Sequence, residues 1–411
     1  MIDWRHKGFP DVPEGLLAGD LAARGWNLLA GDLLPPVVVV KESALEHNVH
    51  LMGGYCDERG VSFAPHGKTT MSPQILSRQL AAGAWGLTAA TAAQARVYVN
   101  AGVDRIILAN QLVDPAGLAW LATQLGRDPA VELYCLVDSV EGVEIMARSL
   151  SHVARPAAVL VELGAEGGRC GCRTIDDALA VAEAVVATGP LELAGVEAYE
   201  GLFDGELGRV IEQVDLLLEG VRTAAETMAQ RGLFDGRSEV LLTAGGSTHF
   251  DRVVEVLGRP FDFPARVVVR AGSYVAHDSG RYEQLSPLGA RATGDERLRA
   301  ALEAWGVVLS RPEDGLAIVG LGKRDVAHDL GPPVPLLAAR HGRLRDVAGR
   351  FAVTGLNDQH AYLSIPAADP LKVGDLVGCG IDHPCTTFDK WRVIPVVDDE
   401  YRVIDAVETF F

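Results

Sequence analysis

The sequence predicts an α/β protein, a (β/α)₈ TIM barrel in the N-terminal part followed by a C-terminal antiparallel β domain. Three observations predict it. Short β-branched runs alternate with longer amphipathic ones between residues 62 and 269. The short runs lack period-2 alternation, as strands covered on both faces do. After about residue 284 the pattern changes to short strands parted by Gly, Pro and Asp turns. Strands alternating with helices imply right-handed βαβ units and a parallel sheet. Eight such units over about 210 residues fit a closed barrel. A doubly wound open sheet is the alternative that shares this alternation.

The eight barrel strands are expected at 62–65, 87–90, 105–108, 131–137, 157–163, 191–199, 239–243 and 265–269. Helices are expected between them at 73–82, 92–100, 115–124, 140–151, 175–188, 206–231 and 250–257. The run 37–40, four valines, is surplus to a barrel of eight and is a candidate for the second domain. Further strands are expected at 306–309, 317–320, 361–365, 376–380, 391–397 and 401–409, with turns at 373–375 and 398–400. The expected division is 33–284 for the barrel and 285–411 for the β domain, with residues 1–32 packed on the latter.

Composition narrows the function classes. The 411 residues include 55 acidic and 37 basic ones, a net charge of −18. That balance argues against a nucleic-acid-coating protein and against a polybasic membrane binder, which both need clustered positive charge. The longest apolar run, 33–40, contains two prolines and is too short to span a bilayer. No apolar signal segment follows the N-terminal methionine. Six irregularly spaced cysteines do not make a disulfide framework, so the expected compartment is the reducing cytoplasm.

Four motifs carry chemistry. Pro65-His66-Gly67-Lys68 follows the first barrel strand and places a lysine at the C-terminal mouth, where barrel active sites are built. An amine there can act as a Schiff-base nucleophile. Thr243-Ala244-Gly245-Gly246-Ser247-Thr248 ends the seventh strand, and Arg270-Ala271-Gly272-Ser273-Tyr274 ends the eighth. Glycines let backbone N–H groups approach an anion, and barrels bind phosphate with these two loops. Taken singly, each motif also reads as a tight turn or a surface lysine. Together they describe a cofactor with an aldehyde and a phosphate, pyridoxal 5'-phosphate (PLP). The fourth motif is His383-Pro384-Cys385. On an extended segment, residues two apart share a face, and an imidazole beside a thiolate suits Zn²⁺. Two ligands suit an open catalytic site; the alternative is a buried cysteine beside a surface histidine.

These motifs together, with the start 37–48, resemble the PLP enzymes of the alanine racemase fold. The resemblance is to the branch holding D-threonine aldolase and eukaryotic-type D-serine dehydratase, including bacterial proteins described as amino acid deaminases. It implies that Lys68 holds the cofactor's aldehyde, with His66 in the same segment. It implies that Arg169 approaches the pyridoxal phenolic oxygen and that Tyr199 is an aromatic at the ring. Gly245, Gly246, Ser247, Gly272, Ser273 and Tyr274 are then the phosphate cup. His383 and Cys385 match the dehydratase's His-x-Cys zinc pair, where the aldolase has His-x-Asp. Arg270 takes the place of the racemase arginine that faces the pyridine nitrogen. The chain departs from the family at Ala64, where Arg often stands, and at Thr69-Thr70-Met71 after the lysine.

The implied activity is zinc-assisted β-elimination from a small D-3-hydroxy amino acid such as D-serine, giving a 2-oxo acid and ammonia. Lys68 is the base at Cα. Alternatives are retro-aldol cleavage, racemisation, and a non-catalytic PLP carrier, which the β domain argues against. A homodimer is implied as well. His360, which opens a β-domain strand, is the next histidine to examine, with Asp325 and Asp358 as outer-shell candidates.

Overall fold

The computed structural model describes residues 1–11 and 16–411. The chain divides into two compact units, one of Met52–Lys68 and Arg78–Gly272, the other of Met1–Leu51, Thr69–Ser77 and Ser273–Phe411.

The first strand, β1 (Val37–Lys41), lies in the second unit. The next eight build the first unit: β2 (Ser62–Phe63), β3 (Leu87–Ala89), β4 (Arg105–Gln111), β5 (Glu132–Val137), β6 (Ala157–Leu163), β7 (Leu191–Ala198), β8 (Val240–Ala244) and β9 (Ala265–Val269). All are parallel, in the order β2-β9-β8-β7-β6-β5-β4-β3. A parallel bridge between His66 and Thr88 joins the two ends of that order. Trp85 N–H donates to the Phe63 carbonyl (2.7 Å) and Thr88 N–H to the Pro65 carbonyl (2.9 Å) across the same seam. The sheet therefore closes into the barrel that the sequence predicts.

The interior is filled by Ala64, Ile107, Tyr134, Leu136, Leu160, Ala194, Leu241 and Val268. Each fully buried large aliphatic side chain stabilises by about 1.5–3 kcal/mol. Several strands turn almost directly into helices because a capping residue waits at the turn. Thr91, Asp114, Ser139 and Thr174 accept from the backbone N–H of Gln94, Gly117, Gly142 and Asp177. The longer connection after β6, residues 164–174, carries Arg169.

The second unit holds β10 (Leu302–Glu313), β11 (Leu316–Val319), β12 (Val334–Arg340), β13 (Arg343–Asp346), β14 (Ala352–Leu356), β15 (Ala361–Ser364), β16 (Leu376–Gly380), β17 (Val393–Val397) and β18 (Val403–Glu408). The main order is β13-β12-β16-β10-β1-β17-β18, with β11 joining β10 to β15 and β14 beyond. Pairing is antiparallel except between β1 and β17. The four valines of β1 are buried because both edges and both faces are covered. This shifts the boundaries expected at 33 and 284. β1 is hydrogen-bonded into the second sheet, and the barrel unit ends at Gly272. Ile2, Phe9, Leu21 and Leu28 pack around Trp305, Val393 and Val403. Among the described residues, no helix is long and apolar enough to cross a membrane.

One local expectation is corrected. His383 and Cys385 are not on an extended segment. His383 is the N-cap of the helix Pro384–Phe388, and Cys385 lies in its first turn. Proline at the first helical position has φ already set for a helix and lacks only an N–H that would be unbonded anyway.

Candidate active site

Lys68 stands in the 3₁₀ turn Gly67–Thr69, just past β2 at the C-terminal mouth of the barrel. A pocket there is lined by His66, Lys68, Asn110, Gln111, Glu162, Arg169, Cys170, Tyr199, Gly245 and Arg270, among others. Five residues expected from the sequence thus meet in one place: His66, Lys68, Arg169, Tyr199 and Gly245. The Arg169 guanidinium lies over the Tyr199 ring at 4.1 Å, a cation–π contact that fixes an otherwise mobile side chain. Burial, then the charges of Lys68 and Arg270, hold His66 well below the usual histidine range. His66 is therefore a neutral imidazole. It bonds to the Thr88 backbone and leaves Nδ1 without a partner.

Beneath the pocket runs a buried charged layer of which the motifs disclose only Arg270. Arg270 Nη2 donates to Glu197 Oε2 (2.6 Å) and to the Ala198 carbonyl (3.2 Å), and Nη1 donates to Thr243 Oγ1 (3.0 Å). The two side chains of this ion pair are 3% and 1% exposed. Glu162 accepts from Gln111 Nε2. Burial, then the Glu197 charge, pushes its carboxyl up to about 7. Glu200 is fully buried and its Oε1 accepts from Gly246 N–H at 2.7 Å. Two of these acids carry a signal in the sequence, though one that does not name the partner. A glutamate inside a strand buried on both faces, as in Val161-Glu162-Leu163 or Val196-Glu197-Ala198, needs a partner.

The glycine pair of the seventh loop now has a packing reason. A Cβ on Gly245 would lie 2.5 Å from Arg270 Nε, and one on Gly246 would lie 2.7 Å from Glu200 Oε1. The loop touches its neighbour where Gly272 N–H donates to Ser247 Oγ at 3.3 Å. Two adjoining glycine loops thus meet here, the Gly246 N–H held by Glu200 and the Gly272 N–H by Ser247, and paired glycine loops of this kind are where barrels cradle phosphate. The amine, the cation over an aromatic ring and the glycine cradle fit PLP.

The second unit holds the remaining expected residues. Ser273 and Tyr274 form the buried turn Ser273–Val275. Ser273 Oγ lies 3.7 Å from Cys385 Sγ, and Thr69 Oγ1 lies 3.3 Å from it. Burial works to raise the Cys385 thiol, but hydrogen bonds with His383, Thr69 and Ser273 outweigh it and leave it lowered. Burial works to lower His383, and Cys385 with Asp329 overcomes it, up to about 9. His383 Nδ1 lies 2.7 Å from Asp329 Oδ2, and Thr386 Oγ1 donates to Asp329 Oδ1 at 2.8 Å. A thiolate-prone cysteine, a histidine and a carboxylate behind that histidine are a donor set that zinc accepts. Asp329 was not foreseen, since nothing in the sequence ties it to a motif 54 residues away.

His360 is exposed and outside this corner. Asp325 accepts from Gly322 N–H and Lys7, and Asp358 pairs with Arg324 at the surface. Elsewhere among the described residues, ligand atoms of Asp138, Glu162 and Cys170 lie within 4.8 Å of one another. Burial and the two carboxylates raise the Cys170 thiol.

The sequence matches the alanine racemase N-terminal domain over residues 40–251 and the putative serine dehydratase domain over residues 301–397. It is 28% identical over 371 residues to a D-threonine aldolase of Arthrobacter sp., covering 89% of each chain. It is 29% identical over 341 residues to the D-threo-3-hydroxyaspartate dehydratase of Delftia sp. (strain HT23), covering 80% of this chain and 83% of that one. A solved cysteine-to-alanine variant of a D-threo-3-hydroxyaspartate dehydratase, in its metal-free form, matches with a TM-score of 0.74 at 24% identity. That match covers 94% of this chain and 99% of the other. The racemase domain alone takes in more than half the residues, and the barrel and β sheet are both formed, so the chain belongs to the alanine racemase family of fold-type III PLP enzymes and carries a serine dehydratase-like domain toward its C-terminus.

Proposed function

We propose that the protein is a PLP-dependent lyase of small D-3-hydroxy amino acids, and that it expels the β-hydroxyl with the help of a divalent metal, giving a 2-oxo acid and ammonia. The observation that carries this reading is the convergence of Lys68, His66, Arg169 and Tyr199 on one pocket at the barrel mouth. When bound, PLP stores the electron pair left at Cα and the metal polarises the β-hydroxyl, which is otherwise a poor leaving group.

The chain's own residues supply the rest. Lys68 Nζ would hold the cofactor's aldehyde and, as a free amine, would take the proton from Cα. Arg169, steadied on Tyr199, orients the pyridoxal ring. His66 is neutral and adds no positive charge beside Lys68. Gly245, Gly246, Ser247 and Gly272 hold the phosphate, with Ser273 and Tyr274 closing the same loop in sequence. His383 and Cys385 hold the metal, with Asp329 fixing the histidine ring through Nδ1.

The named activities of the relatives support a D-hydroxy amino acid as substrate. A second reading rests on the Arthrobacter relative, which is an aldolase and covers more of this chain than the Delftia dehydratase does. In that reading the β-hydroxyl loses its proton and the Cα–Cβ bond breaks. Incubation with D-serine, D-threonine and D-threo-3-hydroxyaspartate, with and without Zn²⁺, separates the two. Ammonia without aldehyde is expected. Aldehyde with glycine would show the aldolase instead, and no product from any of the three would end the lyase reading.

A further inference from the structure

Glu200, beside the phosphate loops, runs against their task. It directly follows Tyr199 and is fully buried. Its Oε1 takes the Gly246 N–H at 2.7 Å, while Oε2 has no hydrogen-bond partner. The charged groups that face it are Arg270 and Glu197, and these are already paired with each other at 2.6 Å. The cation that faces Glu200 is therefore shared with Glu197. An ionised carboxylate buried with only a shared counter-charge is costly. The loop it leans on is the one assigned above to the cofactor phosphate, so loading brings a second anion close to this carboxyl.

Both conflicts vanish if the carboxyl carries a proton. Oε1 then remains an acceptor for Gly246, and the orphaned Oε2 becomes a donor. We propose that Glu200 acts as a neutral carboxylic acid in the phosphate cup, accepting from Gly246 N–H through Oε1 and donating through Oε2 to the cofactor phosphate. It is a positioning residue that reads the phosphate and does not touch the reacting carbon. Burial, pushing this carboxyl up to about 7, is consistent with that state. A consequence is that deprotonation turns a donor into a repelling anion, so the cup loses its grip on phosphate as pH rises. The inference rests on the cup assignment in the functional reading.

The test compares binding of PLP with binding of pyridoxal, which has the aldehyde but no phosphate. Dissociation constants are measured from pH 6 to pH 9 for the wild type, Glu200→Gln and Glu200→Ala, using the borohydride-sensitive visible band. The wild type is expected to lose PLP affinity about ten-fold or more across that range, and pyridoxal affinity much less. Glu200→Gln keeps an uncharged donor and should hold PLP with less than about three-fold change. Glu200→Ala should bind PLP about ten-fold more weakly at pH 6 and pyridoxal normally, as expected for one lost hydrogen bond to a charged group. Parallel pH profiles for PLP and pyridoxal in the wild type would overturn the inference on that protein alone. So would variants that weaken both ligands equally, which is what a purely structural role gives. A wild type that shows no such band with either ligand would overturn the functional reading and this inference together.

Discussion

The barrel mouth and the His383–Cys385 corner handle charge in opposite ways. At the barrel mouth, burial dominates. Glu162 and Glu200 are pushed up toward neutrality and His66 down toward it, and the one full charge pair, Arg270–Glu197, is sealed from water. In the corner, hydrogen bonds and opposite charges together outweigh burial. Cys385 is drawn toward thiolate and His383 toward imidazolium, with Asp329 half exposed behind them. The difference matches what each would bind. A neutralised, rigid floor suits a large anionic cofactor that brings its own charge. A thiolate and an imidazole that gives up its proton as the metal arrives suit a cation.

The largest expected effect sharpens the corner's side of this comparison. His383→Ala should cut turnover of a D-3-hydroxy amino acid about a thousand-fold, because a metal Lewis acid is worth several kcal/mol at the transition state. The visible cofactor band should survive. Unchanged turnover after metal analysis confirms an empty protein would break the assignment. Next in size is the sealed pair. Glu197→Ala strands the Arg270 charge and should destabilise the fold by about 3–5 kcal/mol, read from the denaturant midpoint. A loss below about 1 kcal/mol would mean that the floor is wetter than its burial indicates.

The remaining two are smaller. Asp329→Asn should weaken metal affinity about 10- to 100-fold, measured by titration, while leaving the barrel's cofactor affinity alone. The last concerns pH. The unfolded chain ionises Glu162 from its ordinary value of 4.5, and the folded protein does so only near 7. Folding therefore takes up a proton across that window. The contribution is absent below about 4.5, and stability falls as pH rises toward 7 and stays reduced above it. Glu162→Gln should flatten this slope and gain up to about 3 kcal/mol at pH 8. A variant whose stability–pH curve parallels the wild type would show that Glu162 is ionised throughout.

The same contrast explains what was legible in the sequence. Parallel barrel strands are covered on both faces, so they leave long β-branched runs, and all eight were placed. The valines at 37–40 were also visible, though only pairing shows that they join the second sheet. Strands β12, β13 and β14 escaped notice because VPLLAAR, RLRD and AVTGL mix Ala, Arg, Pro and Gly with little alternation. Their registers are set by neighbours distant in sequence. The residues of the pocket that carry motifs were readable one by one. Glu162, Glu197, Glu200 and Asp329 were not, since a lone acid declares its role only when its partner is known. The spacing of the His–x–Cys pair suggests an extended segment, and the structure has a helix start there instead.

The central claim is that Lys68 is the amine that carries the cofactor. Borohydride reduction of the PLP-loaded protein, followed by proteolysis and mass spectrometry, tests it most directly. The account predicts a single reduced pyridoxyl adduct on the peptide containing Lys68, and no adduct in Lys68→Ala. An adduct on another lysine, or one that persists in Lys68→Ala, would contradict it.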